Sequence, residues 1–192
     1  MFKEMIEIRW HGRGGQGTKT AALLFAEVSL GIGKYIQAFP EYGPERMGAP
    51  VQAFNRISNY PITIHSGITN PDYVVVLDSS IIDSVSIDAG IYYSSKIIVN
   101  TSLSVMEISK QININPEQLY VVNATKIALE FIGRNIPNMP MFGALTKIIN
   151  ILDINDVLSI VERKIIKKFR HKPEVIKGNL ISIKRAFDEV KN

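Results

Sequence analysis

Cysteine is absent from this chain of 192 residues. Its absence excludes a disulfide framework, a thiolate nucleophile, a thiolate zinc site and a cysteine-ligated iron–sulfur cluster in the chain itself. Histidine is scarce: His11, His65 and His171 are scattered without ligand spacing, so no metal site is expected. No run approaches the roughly 18 apolar residues that a bilayer span needs. The first ten residues, MFKEMIEIRW, mix charged and apolar side chains, unlike a signal or transit peptide. The expected location is the cytoplasm, with no membrane partner. Charge is also modest. Charged residues make up 21% of the chain, slightly below the usual share, a mild hint of surface buried against partners. The net charge of +4 and pI near 9.2 suit an anionic ligand but are too dispersed for nucleic acid.

What is present is an alternation of strand and helix signals. Met5–Trp10 alternates charged and apolar residues, as a strand with one wetter face would. After a run of glycines, Thr18–Leu30 reads as a helix with Ala21, Leu24, Phe25 and Val28 on one face. Tyr35–Phe39 and Val51–Ile57 read as strands, and Asn59-Tyr60-Pro61 predicts a hairpin into Ile62–His65. Tyr73–Leu77, Lys96–Val99 and Leu119–Val122 are continuous apolar runs, the mark of strands covered on both faces. Helices are expected between them, the one before Lys96 being diluted by Ser84, Ser86 and Gly90. Beyond Thr125 the candidates are helices at Met139–Ile151, Asn155–Phe169 and Glu174–Val190. The expectation is one domain over residues 1–192: an α/β, three-layer α/β/α fold with a mixed, largely parallel sheet and a helical C-terminal region.

Between the first strand and first helix lies Gly12-Arg13-Gly14-Gly15-Gln16-Gly17, formally G-x-G-x-x-G. Glycines there permit a sharp turn and let a phosphate approach the amides of a helix N-terminus. Arg13 and Lys19 would add charge, and Thr18 a hydroxyl. Two stricter tests fail. The second strand ends Gln37-Ala38-Phe39-Pro40, without the acidic residue of a dinucleotide site. Gly17 is followed by Thr18 and only then Lys19, the wrong order for a Walker A loop. Phosphate binding and a plain tight turn both remain open from the motif alone. A second loop, Phe39–Pro50, sets Glu41, Tyr42, Glu45, Arg46 and Met47 among prolines and glycines. A loop so stiffened serves a docking surface or an ordinary connection equally well.

Together the segments HGRGGQGTKTAA and AFPEYGPERMGAPV, with NPDYVVVLD, IIVNTS and IPNMPMFGAL behind them, resemble the gamma subunit of pyruvate and related 2-oxoacid:ferredoxin oxidoreductases. They are equally similar to the corresponding domain of the single-chain enzymes. The resemblance spans most of the chain to about Leu145. It implies a heteromeric enzyme that decarboxylates a 2-oxoacid, pyruvate first, on thiamine diphosphate. Such an enzyme passes electrons through iron–sulfur clusters to ferredoxin and delivers the acyl group to coenzyme A. It implies alpha, beta and delta partner subunits, which would carry the thiamine diphosphate, magnesium and clusters; no GDG-type motif for magnesium diphosphate occurs here. Coenzyme A, with its pyrophosphate and 3′-phosphate, is then the expected ligand of Gly12, Arg13, Gly14, Gly15, Gln16, Gly17, Thr18 and Lys19, unless these meet a partner subunit instead. Glu41, Tyr42, Glu45 and Arg46 are expected at the subunit interface. No catalytic residue is assigned. A stand-alone nucleotide-binding or scaffold protein is the alternative reading.

Other features carry plainer expectations. The basic tract Arg163–Lys172 reads as the solvated end of an amphipathic helix rather than a ferredoxin dock. His11 is expected as an ordinary hydrogen-bonded histidine. Asp78, at a strand end, lies where α/β sheets place ligands or helix caps. Met139, Met141 and Phe142 are expected in the core.

Overall fold

The computed structural model describes residues 5–41 and 48–192. Six strands form one sheet: β1 (Met5–Arg13), β2 (Tyr35–Pro40), β3 (Pro50–Ser58), β4 (Tyr73–Val76), β5 (Lys96–Asn100) and β6 (Leu119–Val122). Their spatial order is β2-β3-β1-β4-β5-β6. β1, β4, β5 and β6 run parallel, while β3 is antiparallel to both β1 and β2. The sheet is thus mixed and largely parallel, as expected, but a different strand makes it so. The predicted hairpin is absent, because β3 is bonded on both sides and has no free edge for residues 62–65. Residues 64–67 are instead held by side chains of β2 and β3: Gln37 Nε2 donates to the Ile64 carbonyl (2.9 Å), and Arg56 Nη2 to those of Ser66 (2.6 Å) and Gly67 (3.1 Å).

Helices α1 (Thr18–Gly31), α3 (Ala124–Ile132), α4 (Asn138–Ile149), α5 (Ile154–Phe169) and α6 (Pro173–Glu189) contribute to one core cluster. They pack with Ile8, Trp10, Ala53, Ile57, Val75 and Ile98 of the sheet. On the other face α2 (Val105–Ile112) joins Ile81 and Ile87 over Val74, Val76, Ile97, Val99, Leu119 and Val121. Val75 and its neighbours Val74 and Val76 thus face opposite layers. That alternation explains the unbroken apolar run, since every side chain of β4 meets a core. Between β4 and β5 the expected helix reduces to a single 3₁₀ turn, Ser79–Ile81. Within this irregular segment Gly90 has φ +72, and a Cβ there would collide with the Thr69 carbonyl.

The aromatic centre of the first core is Phe25, edge-on to Trp10 (6.1 Å) and Phe142 (5.7 Å). Trp10 is fully buried, and its indole N–H is satisfied by Asn55 Oδ1 (2.8 Å), whose own amide reaches the Ala22 carbonyl (3.0 Å). One polar pair therefore fixes α1 on β1 and β3 without leaving an orphan donor. Met141 and Phe142 are wholly buried, as expected of core residues.

Helix α4 lies so close to α6 that a Cβ on Gly143 would collide with the Ile183 carbonyl. Gly143→Ala is therefore expected to destabilise the chain by about 1–3 kcal/mol through overpacking. In urea unfolding the midpoint should fall with an unchanged slope; an unchanged midpoint would refute this packing.

Candidate functional site

The parallel strands bring their carboxyl ends to one edge, where the chain leaves in two directions. After β1 it enters α1, in the first core; after β4 it enters the turn containing Ile81, in the second. Such a divergence opens a crevice between neighbouring strands, the usual place for a ligand in an open α/β sheet. The glycine loop stands on one side of it and Asp78 on the other.

The loop is a tight turn closed by Gln16 N donating to the Arg13 carbonyl (3.1 Å). Gly15, third in that turn, has φ +96 and no atom within 4 Å of a built Cβ, so it is the loop's open apex. Gly17 precedes α1 in a left-handed conformation (φ +82) and sits against Asn138, the first residue of α4. Gly12 lies under Thr18 Oγ1, with Leu77 Cβ 3.3 Å from where its own Cβ would be. Gly14 extends the β1–β3 ladder: its N–H donates to Ala49 (2.9 Å) and its carbonyl accepts from Gly48 (3.2 Å).

Arg13 ties the crevice together. Its Nε and Nη2 donate to Ser80 Oγ (3.1 and 3.0 Å) and Nη1 to the Gly48 carbonyl (3.0 Å). Its Nε also lies 3.6 Å from Asp78 Oδ2, with the side chain still 33% exposed. Gln16 Nε2 donates to the same carboxylate oxygen (2.5 Å), and the backbone N–H of Ser80 donates to Asp78 Oδ1 (2.9 Å). Burial alone would raise the Asp78 pKa, but the bonds from Ser80 and Gln16 and the Arg13 charge outweigh it and hold the carboxyl below its ordinary value. Asp78 also caps the 3₁₀ turn, so the cap, one of the two roles open to it from sequence, is present at the edge of the crevice.

Beside this cluster lies a cavity of about 430 Å³ lined by Gln16, Asp78, Asn100, Thr101, Asn123 and Thr125 among others. Amides and hydroxyls dominate these walls. Asn100 is held in place there, donating to the Leu77 carbonyl and Thr125 Oγ1 (both 2.8 Å). Of the remaining predicted residues, Lys19 is exposed on the first turn of α1. Thr18 is buried, its hydroxyl turned over Gly12. Glu41 is exposed, its backbone N–H donating to Gln52 (3.1 Å). Tyr42, Glu45 and Arg46 lie outside the described residues.

Behind the crevice the structure departs from the wetter face expected of β1. Arg9 and His11 are buried. Arg9 Nη2 donates to the carbonyls of Ile87 (2.9 Å) and Ala89 (2.7 Å), so the irregular segment before β5 covers that face. The hydrogen bonding expected of His11 is missing at one ring nitrogen: Nε2 is buried without a partner. Burial, helped by the Arg9 charge, pushes its pKa down to about 3. Alternation alone could not reveal this, because the covering segment carries no regular pattern. Ser80 and Asn138 also escaped sequence reading, their roles arising from contacts distant in the chain.

An open α/β protein with a glycine turn at its switch point is the class that fold and crevice define. A family model described as "Pyruvate ferredoxin/flavodoxin oxidoreductase" matches residues 7–189. The "Pyruvate synthase subunit PorC" of Thermotoga maritima is 44% identical over 189 residues, covering 98% of this chain and 96% of the relative. The "Pyruvate/ketoisovalerate oxidoreductases common subunit gamma" of Pyrococcus furiosus is 48% identical over 153 residues, covering 80% and 83%. A crystal structure of the Thermotoga maritima PORC subunit superposes with TM-score 0.85 at 42% identity, covering 98% of both chains. A Magnetococcus marinus 2-oxoglutarate:ferredoxin oxidoreductase, described with 2-oxoglutarate, coenzyme A and succinyl-CoA bound, shares the fold (TM-score 0.76, 19% identity); the match covers 96% of this chain and 30% of that one. The chain belongs to the pyruvate ferredoxin/flavodoxin oxidoreductase family, as a gamma subunit of the 2-oxoacid:ferredoxin oxidoreductases.

Because His11 is held neutral when folded, the unfolded chain binds more protons between pH about 3 and 6.5, and stability falls as pH falls through that window. Asp78, with its carboxyl pKa lowered from 3.8, keeps its contribution above that value and loses it as pH falls further. Between pH 6.5 and 4.5 the wild type should lose roughly 2–3 kcal/mol more than His11→Gln. Parallel denaturant titrations across that range measure the difference, and equal slopes would show His11 to be solvated.

Proposed function

We propose that the glycine loop of this gamma subunit holds the phosphates of coenzyme A for the oxidative decarboxylation of pyruvate, in a cytoplasmic complex. Alpha, beta and delta subunits would carry thiamine diphosphate, magnesium and clusters, and ferredoxin would be reduced through them. The observation that carries the reading is the open apex at Gly15, set at the switch point of the sheet immediately before a helix N-terminus. The donor chemistry fits an anion. A helix N-terminus favours negative charge by about 0.3–1 kcal/mol, Arg13 is partly exposed beside its Asp78 partner, and Lys19 adds a cation on the first turn of α1. In the complex, coenzyme A supplies the thiol that accepts the acyl group. The chain's own part is to bind and orient. Arg13 and Gln16 fix the turn, while Gly15 leaves room for close approach to the backbone. The amide-lined cavity beyond Asp78 offers hydrogen bonds to neutral polar parts of the ligand. The chain has no cysteine, and no group of three or more metal-binding side chains occurs among the described residues. Both facts support placing the redox centres on partners. Glu41, Tyr42, Glu45 and Arg46 are assigned to the interface with those partners.

In the reconstituted complex, Gly15→Val should raise KM for coenzyme A at least about tenfold, a loss of about 1.4 kcal/mol, with KM for the 2-oxoacid unchanged. An unaltered KM for coenzyme A would remove the loop from the binding site. Arg46→Glu should reduce the gamma subunit recovered with its partners in affinity co-purification, and full recovery would contradict the interface assignment.

A further inference from the structure

We propose that Asp78 is a positioning residue for the glycine loop: from the end of β4 it fixes the side-chain amide of Gln16, and through that amide the turn on which the ligand rests. The proposal rests on the reading that this loop binds coenzyme A.

The geometry is a relay of three groups. Gln16 brackets Arg13 twice, its backbone N–H donating to the Arg13 carbonyl (3.1 Å) and its Oε1 accepting from the Arg13 N–H (2.9 Å). The other end of the same amide, Nε2, donates to Asp78 Oδ2 (2.5 Å). A glutamine amide is nearly symmetric in shape but not in chemistry, since one end only donates and the other only accepts. If it turned over, Nε2 would meet the Arg13 N–H and two donors would oppose each other. A carboxylate accepts only, so Asp78 selects the orientation in which Oε1 serves Arg13. A neutral amide at position 78 could satisfy either orientation.

Asp78 is itself held. The backbone N–H of Ser80 donates to Oδ1 (2.9 Å), and Arg13, 3.6 Å from Oδ2, grips Ser80 Oγ. The ring Arg13–Gln16–Asp78–Ser80 thus closes across the crevice and joins the loop after β1 to the loop after β4. A carboxylate is a poor direct contact for a phosphate. With its charge balanced by Arg13, and its oxygens engaged by Gln16 and Ser80, it acts on the loop and not on the ligand. Both side chains of the ion pair are partly exposed (33% and 21%). Solvent therefore screens the pair, and its consequence is placement more than stability.

The test uses the assembled oxidoreductase with Asp78→Asn, Gln16→Glu and the double variant. Each single change should raise KM for coenzyme A about tenfold and leave KM for the 2-oxoacid in place. Asp78→Asn replaces the acceptor-only partner with one that accepts either orientation of the amide; Gln16→Glu sets two carboxylates against each other. The double variant exchanges donor and acceptor across the contact while keeping an acceptor for the Arg13 N–H. It should bring KM for coenzyme A back to within about threefold of wild type, a coupling that two independent lesions do not show. Gly15→Val, run beside them, separates the two claims. If Gly15→Val raises KM for coenzyme A but Asp78→Asn does not, the positioning role falls and the loop reading stands. If neither moves it, both fall. Additive losses in the double variant also overturn the relay.

Discussion

Strand β1 pairs with β3 along its whole length and with β4 from Ile8 to His11, and the rest of the molecule is arranged around that double attachment. One face of β1 carries Ile8 and Trp10 into the larger core. The other carries Arg9 and His11 under an irregular covering segment. Where the strand stops, the main chain must turn immediately into α1 while Gly14 stays bonded to Ala49 and Gly48. Only a loop without side chains at its close approaches meets both demands. Gly12 leaves room for Thr18, and Gly17 leaves room for Asn138 while adopting a left-handed conformation. The same turn leaves Gly15 open to solvent. The site is therefore a consequence of how β1 is anchored.

Holding polar groups on the inner side of this arrangement has a physical cost that the structure meets unevenly. Arg56, almost wholly buried, is matched by Glu7 (2.9 Å) and by two backbone carbonyls, and it lies over Phe39, which stacks on Phe54 (5.3 Å). Arg9 has carbonyl partners for Nη2, yet its Nε is buried without one, and so is His11 Nε2. Unpaired buried polar atoms are uncommon and expensive. Here they flank the glycine turn: Arg9 and His11 lie on the strand that leads into it, and Thr18 Oγ1, also buried without a partner, lies on the helix that leaves it.

Much of the layer pattern was legible in the sequence because it rests on local periodicity. The runs at Tyr73, Lys96 and Leu119 are strands, and α1, α5 and α6 start and stop close to their signals. The long segments recognisable as gamma-subunit motifs carried the family. What could not be read depends on non-local pairing. The β3 strand's choice of β1 and β2 as partners removed the predicted hairpin, since nothing near Tyr60 encodes the distant strand. The short segment around Ser84 lacks a periodicity, so its role as a cover for Arg9 was invisible. Within the site the glycine loop was found from spacing alone. Its ties to Ser80 and Asn138, 67 residues from Arg13 in the first case, follow only from the fold.

The central claim is that this subunit handles coenzyme A at the glycine loop while its partners hold the redox chemistry. Photoaffinity labelling of the intact complex with a phosphate-side coenzyme A analogue, followed by peptide mapping, tests it most directly. The account predicts adducts on residues 12–19 or on the facing turn at 78–80, suppressed by unlabelled coenzyme A. Saturable labelling confined to the other subunits would contradict it.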